Sequence, residues 1–482
     1  MEVIKESSAV RESNLSVWPR KAILTGLIAG TLTLSGCAST LSQLPAEAQI
    51  TAPGSWESVP SESAVPLNES DVAGGWVATF GDESFEKYAQ IALENNPDLR
   101  GSAAQLKSAI EQVTISGAAI WPSLSVGANR SATDTETDGF ETKLRTASAA
   151  LDIAWEADIW GKLTQRKKAS AFTAKAQSEL YRAAELSLVA NVGRAWYNVI
   201  TNKLQVDLAQ QRLESFQRTA DLIEENYQRG LRSALDVYLS RSDVQVQISG
   251  LADAKFIYLQ SLRAFNSLLG SYPDSKLAFD ANLPELSETI PVGLPAQLLE
   301  RRPDVQASQF QYKSAIASAK AAQRDRFPSL TLTGSIGDSR NEFDELFEND
   351  NIVKNILGGL ALPLFQAGAL KARSEQAAYQ AEAAYASLVR TTISAFEEVE
   401  NAINLESSLK QQNEALKKAV DLAQGGLDLA LDRYQSGIEN YQTVLQSQRS
   451  VFSSKQTELN VRNALLQNRI TLFLALGGDF GS

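Results

Sequence analysis

The sequence predicts a mainly α-helical protein with a small β part, organised as a two-fold internal repeat of long helical staves. Three observations support this fold class. Landmark residues recur at a nearly constant spacing, two long proline-free stretches are each bounded by glycines, and each repeat contains a pair of short segments in which polar and apolar residues alternate. Most residues of such a chain are expected in helices and only a small part in strands.

Composition excludes several kinds of chemistry. The 482 residues include 45 basic and 57 acidic side chains, no His, one Cys and one Met. Histidine catalysis, most transition-metal sites and an intramolecular disulfide framework are therefore ruled out, and we expect no catalytic or metal site. The acidic balance argues against nucleic acid as a partner, because phosphate binding needs a basic surface.

Residues 1–36 have the features of a lipoprotein signal peptide. Arg20 and Lys21 precede an apolar run, Ala22–Leu34, which is shorter than the ~18 residues that span a membrane. The following Leu34-Ser35-Gly36-Cys37 resembles a bacterial lipobox. This resemblance implies a mature chain that begins at Cys37 and carries diacylglycerol and a fatty acyl group there, with no other cofactor. The alternative is a structural or chance Cys in an uncleaved anchor.

Residues 37–75 are expected to form a lipidated tether, because four prolines stand there among Ser, Glu and Ala. Ala38 follows the Cys, and by analogy with other lipoproteins this favours the outer membrane. The folded body is expected to begin near Trp76. No later segment offers an uninterrupted apolar run of the ~18 residues that a spanning helix needs, so any further membrane crossing must use β-strands.

The internal repeat sets the domain organisation. Asn96-Pro97-Asp98 recurs as Arg302-Pro303-Asp304, and Tyr227-Gln228-Arg229-Gly230 recurs as Tyr434-Gln435-Ser436-Gly437, at nearly the same offset along the chain. We therefore predict a first repeat at residues 76–270, a connector at 271–295 and a second repeat at 296–478.

Proline and glycine positions predict the helices. Gly161–Gly230 and Gly368–Gly437 contain many strong helix formers, and each would form a helix of about 100 Å. In the first repeat the helical pattern then resumes as far as Gly270, and the segment before the strands is Pro97–Pro122. The combined length of these two segments nearly equals one long helix, and the second repeat has the same layout. We therefore expect each long helix to pack beside two shorter helices stacked end to end.

Four short strands are predicted between these helices. Ser123–Ala128 and Ser329–Ile336 alternate polar with apolar or small residues, and each leads into an acidic loop, at 133–142 and 337–351. Returning strands are expected near 146–154 and 356–364. Four strands cannot close a barrel, and an open edge is not tolerated in lipid. Three chains would supply 12 strands, which predicts a homotrimer that forms a transmembrane β-barrel.

Three features of the chain resemble the NodT/OprM branch of the TolC-type outer-membrane efflux proteins. They are the internal repeat, the lipobox and the run Leu294-Pro295-Ala296-Gln297-Leu298-Leu299-Glu300-Arg301-Arg302-Pro303-Asp304-Val305. The resemblance implies a non-enzymatic, trimeric export duct. It would be lipid-anchored in the outer membrane of a Gram-negative bacterium and extend into the periplasm. Its implied partners are the lipid bilayer, a periplasmic adaptor protein and an inner-membrane transporter, expected to be of the RND type.

Two other functions are compatible with parts of the sequence. A lipid-anchored helical periplasmic adaptor or scaffold would have one hairpin flanked by Gly-rich β-domains and would lack a duplicated strand pair. A carboxylate hydrolase would rest only on the pairs Glu156/Asp158 and Glu397/Glu398. Pairs of this kind on helices and strand ends are usually solvated faces.

The resemblance also implies that the turns after the two long helices form the periplasmic aperture. Gly230 and Gly437 would form the turns, although Gly is also the ordinary residue just past a helix end. Gln446 stands where family members often carry Asp, which argues against an acidic ring. The aperture residues implied by the resemblance are Tyr227, Arg232, Asp236, Tyr434, Glu439, Thr443 and Gln446. The alternative for the charged side chains is that they are solvated caps.

Overall fold

A computed structural model of the chain describes residues 52–53, 55–58, 75–286, 295–346 and 352–478. The predicted signal peptide, Cys37 and most of the predicted tether lie outside the described residues. Residues 271–286 of the predicted connector contain neither helix nor strand, and its last residue, Pro295, begins a short helix.

The described residues form one 3-10 helix, eight α-helices and four β-strands, and the α-helices and strands follow the same order in both halves. None of the helices within the described ranges is both long and apolar enough to cross a membrane. The elements are the 3-10 helix (Trp76–Phe80), α1 (Glu83–Asn95), α2 (Pro97–Ala118), β1 (Ser123–Thr137), β2 (Phe140–Ala157), α3 (Lys162–Gln228), α4 (Ala234–Leu268), α5 (Pro295–Arg301), α6 (Pro303–Arg324), β3 (Ser329–Arg340), β4 (Val353–Ala361), α7 (Ala369–Gln435) and α8 (Tyr441–Ala475).

The predicted stave geometry is confirmed. The long helices α3 and α7 have 67 residues each, which corresponds to about 100 Å. α3 packs against the shorter α2 and α4, and α7 packs in the same way against α6 and α8. α3 also contacts α6 and α8, so it lies between the two halves. α4 and α7 therefore lie at the two sides of this helix layer. The face of each that points away from the layer, here called its outer face, packs against no other helix of the described chain.

The four strands form one antiparallel sheet in the order β1-β2-β3-β4. The predicted acidic loop at 133–142 is wrong, because β1 and β2 pair up to Thr137 and Phe140 and leave only Asp138 and Gly139 as a turn. Both turn residues have positive φ, 54° and 83°, as a two-residue hairpin turn requires. β3 likewise continues to Arg340, inside the second predicted loop. The outer edges of β1 and β4 pair with no other described strand.

The largest apolar core lies where the 3-10 helix and α1 pack on α3. Trp76 stacks on Phe473 of α8 with ring centroids 5.6 Å apart, and Phe80 stacks on Tyr197 of α3 at 5.7 Å. Aromatic burial of this size stabilises the join between the first elements and both halves. A separate core near the two hairpin turns includes Phe216, Ile223, Tyr434 and Val444.

Part of the predicted tether packs against α7. Trp56 is 4% exposed, and its ring lies 6.1 Å from that of Phe396. Glu400 accepts hydrogen bonds from the backbone N–H groups of Glu57 at 2.8 Å and Ser58 at 3.1 Å. The sequence predicts that the folded body starts near Trp76, but these contacts extend it upstream. The reason is that the Trp56 indole packs among apolar side chains of neighbouring helices.

Candidate functional site at the hairpin turns

The first hairpin turn connects α3 to α4. Gly230 has a φ of 70°, and its N–H donates to the Tyr227 carbonyl oxygen at 2.9 Å. The Leu231 N–H donates to the Asn226 carbonyl oxygen at 2.9 Å, which closes the end of α3. Ser233 caps α4, because its Oγ accepts a hydrogen bond from the Asp236 N–H at 3.3 Å. The turn is therefore short and fixed at both ends.

The second hairpin turn connects α7 to α8 and has the same design. Gly437 has a φ of 76°, and the Ile438 N–H donates to the Arg433 carbonyl oxygen at 3.0 Å. Asn440 caps α8, since its Oδ1 accepts from the Thr443 N–H at 3.0 Å. Both Gly residues thus occupy the left-handed conformation that another residue would adopt only with strain.

Arg232 links the first turn to the second. Its Nη2 donates to the carbonyl oxygens of Tyr434 at 3.0 Å and Glu439 at 3.4 Å. Its guanidinium carbon also lies 4.2 Å from the centroid of the Tyr434 ring. The cation therefore meets the negative end of α7 and an aromatic face together, and both contacts are attractive.

Tyr434 is buried beneath Arg232. Its side chain is 0% exposed, and its hydroxyl has no hydrogen-bond partner among the described residues. Burial raises the pKa of Tyr434, while the Arg232 guanidinium opposes this rise and the Asp236 carboxylate adds to it. The ring thus acts as a neutral platform on which the cation rests.

Glu439 is held within its own hairpin. Its Oε1 accepts hydrogen bonds from the Thr443 hydroxyl at 3.0 Å and from the Asn440 N–H at 3.3 Å. These bonds, led by that of Thr443, together with Arg433 lower the pKa of Glu439. Arg232 reaches only the backbone oxygen of Glu439, so the two side chains do not form the ion pair that their charges would allow.

A second link between the hairpins involves residues that the sequence did not single out. Asp243 of α4 accepts a hydrogen bond from the Tyr441 hydroxyl at 3.0 Å and pairs with Arg449 at 3.1 Å, both from α8. Burial, with a contribution from Asp243, raises the pKa of Tyr441. No turn pattern marks Asp243, because its role depends on which helices become neighbours.

The remaining predicted aperture residues lie apart from this cluster. Tyr227 is 44% exposed, and Gln446 is exposed on α8. Gln448, two positions further on, is fully buried and donates to Thr219 Oγ1 of α3 at 2.8 Å. Gln446 and Gln448 therefore face opposite ways, the first toward open space and the second into the stave.

Three of the four carboxylates considered for hydrolysis have structural partners, and the fourth, Glu397, is exposed on α7. Glu156 pairs with Lys162 at 2.5 Å, and Asp158 accepts bonds from the Thr164 N–H and hydroxyl at the start of α3. Glu398 pairs with Arg302 at 2.7 Å. Among the described residues, no group of three or more Cys, Asp or Glu side chains could hold a metal ion.

Long paired helices that connect two hairpin turns to a four-stranded sheet with open edges define a subunit of a larger channel. The family model described as outer membrane efflux protein matches residues 88–271 and 294–478, and the chain belongs to this family. The two matched ranges reproduce the two-fold repeat. The resemblance drawn from the sequence, the fold class and the outer-membrane location are thereby confirmed.

Individual relatives match over nearly the whole chain. The toluene efflux pump outer membrane protein TtgC of Pseudomonas putida is 28% identical, over 93% of each chain. The probable outer membrane lipoprotein SilC of Salmonella typhimurium is 28% identical, over 88% of this chain and 92% of the relative. The cation efflux system protein CusC of Escherichia coli is 29% identical, over 84% of this chain and 88% of the relative.

Solved structures have the same fold. The outer-membrane channel OprN superposes with a TM-score of 0.82 at 22% identity, over 90% of this chain and 98% of that chain. The structure of CusC gives a TM-score of 0.79 at 27% identity, over 89% of this chain and all of that chain (100%). The Campylobacter jejuni channel CmeC gives 0.81 at 22% identity, over 88% and 91% of the two chains.

Proposed function

We propose that the chain is the outer-membrane exit duct of a tripartite efflux system. Three copies would pass small molecules from an inner-membrane pump and a periplasmic adaptor to the outside. The observation that carries this proposal is the four-stranded sheet with two unpaired outer strands, attached to helices of about 100 Å. The names of the relatives, which are efflux-pump outer-membrane proteins, support the same role.

Trimerisation follows from the strand count. In lipid every backbone N–H and C=O needs a hydrogen-bond partner, so β1 and β4 cannot keep free edges. Three copies give 12 strands, an even number within the range of outer-membrane barrels. The exposed apolar side chains on the outer faces of α4 and α7, such as Phe256 and Leu422, fit the same conclusion, because neighbouring copies would cover them.

The alternative, a lipid-anchored periplasmic adaptor, is disfavoured by the second strand pair. An adaptor needs one hairpin with β-domains on either side, whereas here each half has its own hairpin and its own strand pair. The described β structure is a single sheet of strands from both halves.

The duct offers few ligands for soft metal ions. The whole chain has no His, one Cys and one Met. Thiolate, thioether and imidazole groups are the ligands that select copper and similar ions, so any selection of such ions is assigned to the pump. We place the pump in the RND type, on the resemblance of this chain to its NodT/OprM relatives.

The lipid anchor remains part of the proposal. Cys37 would carry diacylglycerol on its sulfur and a fatty acyl group on its amino nitrogen. The relative SilC has the name of an outer membrane lipoprotein, which supports this modification.

The proposed function is tested by assembly and transport together. Light scattering of the detergent-purified protein should give three times the chain mass. Co-expression with a pump and adaptor of the same type should restore drug or dye efflux to a host that lacks outer-membrane efflux proteins. A stable monomer, or full efflux by the pump and adaptor without this chain, would refute the duct.

A further inference from the structure

We propose that the sheet binds a phosphorylated glycolipid of the outer leaflet through Arg130, Arg145 and Arg340. The three guanidinium groups would hold phosphate, and apolar side chains of the same sheet face would contact the acyl chains. The inference rests on the proposed function, which sets the direction of the duct in the membrane. It goes beyond that function, because transport of small molecules does not require a lipid site.

The register of the sheet brings the three arginines together. Arg130 of β1 and Arg340 of β3 both lie directly opposite Ala147 of β2, one on each side. Arg145 stands two positions from Ala147 along β2. Side chains that are directly opposite, or two positions apart, share one face of a sheet, so the arginines form one cluster, here called the arginine patch. Ala147 is 0% exposed because these long side chains surround it.

Carboxylates neutralise only part of the arginine patch. Glu342 accepts a hydrogen bond from Arg130 at 2.7 Å, but it lies 3.7 Å from Arg145 Nη1, which is too far for a hydrogen bond. Asp338 pairs with Arg340 at 3.1 Å, and its side chain is only 2% exposed. Arg340 Nη2 is buried without a hydrogen-bond partner among the described residues. Three guanidinium groups against two carboxylates leave a net positive charge and unused N–H donors.

The face that carries the arginine patch is apolar on the side of the helices. Leu151 of β2 lies opposite Val126 of β1 and Ile336 of β3, and these side chains are 38%, 80% and 40% exposed. Farther along β2 the same face presents Ile153 and Trp155. An apolar surface that ends in a row of cations matches an amphiphile with an anionic headgroup.

The height of the arginine patch fits the outer leaflet. The helices leave the sheet at the end of Ser123 and Ala157, and the patch lies toward the other end. From Ala157 to Ala147 the chain advances about 33 Å along β2, or about 25 Å across the membrane for a strand tilted by about 40°. This is the height of the apolar band of an outer-membrane barrel. With the helices in the periplasm, the patch meets the outer leaflet, whose glycolipid carries phosphate groups.

The order of charges along this face also favours a phosphate ligand. Beyond the arginine patch, toward the turn at Asp138, the same face carries Asp134, Glu136, Glu141 and Lys143. The arginines therefore adjoin the apolar side chains, whereas these carboxylates lie farther out. A guanidinium binds phosphate through two parallel hydrogen bonds, which a lysine cannot form. The opposite face has only uncharged polar side chains at this height, namely Asn129, Ser148 and Ser339.

Calorimetric titration of the full-length protein in a neutral detergent tests the site, with bisphosphorylated lipid A and inorganic phosphate as probes. Wild type should bind the lipid, and Arg130→Gln with Arg145→Gln should bind it at least tenfold more weakly, because both phosphate contacts are lost. The two side chains are 55% and 57% exposed, so their replacement should leave the sheet folded. Arg340 is kept, because it holds the buried Asp338.

The matched control is Arg229→Gln with Arg241→Gln. These side chains near the first hairpin turn are 63% and 64% exposed, and their loss changes the net charge equally. This control should bind lipid A as wild type does. Arg130→Lys with Arg145→Lys keeps the charge and should bind more tightly than the glutamine variant.

Three results would overturn the lipid site. Equal affinity for lipid A in wild type and in Arg130→Gln with Arg145→Gln would show that the arginine patch does not hold the lipid. Inorganic phosphate bound as tightly as lipid A would assign the patch to the free ion. Light scattering of the same samples separates this site from the proposed function. A trimer without selective lipid binding removes the site and leaves the duct, whereas a monomer removes the duct and the site with it.

Discussion

Asn96 and Arg302 hold the same place in the two halves of the chain, and each ties the start of one helix to the end of another. Asn96 Nδ2 donates to the Leu268 carbonyl oxygen at 2.9 Å, and Arg302 Nη1 donates to the Ala475 carbonyl oxygen at 3.1 Å. The two acceptors are themselves equivalent positions, because Leu268 ends α4 and Ala475 ends α8. The repeat therefore extends to single hydrogen bonds, although the two donors differ in chemistry.

Arg302 should matter more for stability than Asn96. Arg302 also pairs with Asp304 and Glu398, each at 2.7 Å, while its own side chain is 8% exposed. Arg302→Ala would leave the Ala475 carbonyl oxygen and two carboxylates without this partner, at a cost of about 2–3 kcal/mol, whereas Asn96→Ala should cost about 1–2 kcal/mol. Thermal unfolding of the detergent-purified variants measures the difference. A smaller loss for Arg302→Ala than for Asn96→Ala would contradict the prediction.

Arg232 should restrain the aperture. Arg232→Ala removes two bonds to carbonyl oxygens and the contact with the Tyr434 ring. If three copies move together, a loss of about 1 kcal/mol in each copy would raise the ratio of open to closed ducts by about two powers of ten. Conductance in planar bilayers should therefore rise, and further in the double variant with Asp236→Ala.

The matched control for this aperture test is Arg229→Ala. Arg229 is an exposed cation close to Arg232 in the same turn, and it pairs with Glu225 on its own helix. Equal conductance changes in Arg229→Ala and Arg232→Ala would assign the effect to the charge of the pore mouth and not to the link between hairpins.

Glu439 should make the stability of the second hairpin turn depend on pH in the acid range. Its hydrogen bond from Thr443, that from Asn440 and the charge of Arg433 lower its pKa. A carboxyl whose pKa falls on folding stabilises the fold above its unfolded pKa, about 4.3, and this contribution is lost as the pH falls through the folded value. Wild-type conductance should therefore change, as the pH falls below that unfolded value, by a step that Glu439→Gln lacks. Identical acid profiles would exclude Glu439 as the titrating group.

Gln446 should make the wild-type duct a poor target for polyvalent cations. Its side chain is exposed and uncharged, so Gln446→Asp would add one carboxylate per copy around a common axis. Three such charges should strengthen block by a trivalent cation by roughly tenfold or more. Gln442→Asp, also exposed and one helical turn earlier, serves as the control. Equal block in both variants would mean that net acidity, and not position 446, sets the effect.

Cys37 should be the first residue of the mature chain and carry three acyl chains in all. Intact-mass spectrometry of the membrane-extracted protein should show this modification and the loss of residues 1–36. Cys37→Ser should remove the lipid while the protein still assembles into trimers, because strands and helices make the contacts between copies. An unmodified Cys37 in the purified protein would refute the anchor.

The long helices and the repeat can be predicted because they depend on local signals. Gly161, Gly230 and the absence of proline between them fix α3 closely at both ends. The sequence underestimates the length of β1 and β2, because Asp134 and Glu136 lie on strands that are mostly exposed in one chain and so have the composition of a loop. The pairing of Asp243 with Tyr441 joins helices that are far apart in the chain, and no local pattern encodes it.

The packing of Trp56 against α7 limits how far Cys37 can lie from that helix. Glu400, which holds the next two residues, stands about 45 Å along α7 from the end that adjoins the sheet. The segment from Cys37 to Trp56 reaches at most about 65 Å when fully extended. A lipid on Cys37 can therefore reach the sheet end of α7 while Trp56 stays packed, because the extended segment exceeds the distance along α7 by about 20 Å. A deletion of more than a few residues between Cys37 and Trp56 should therefore prevent the lipid and the indole from binding at the same time, whereas substitutions there should not.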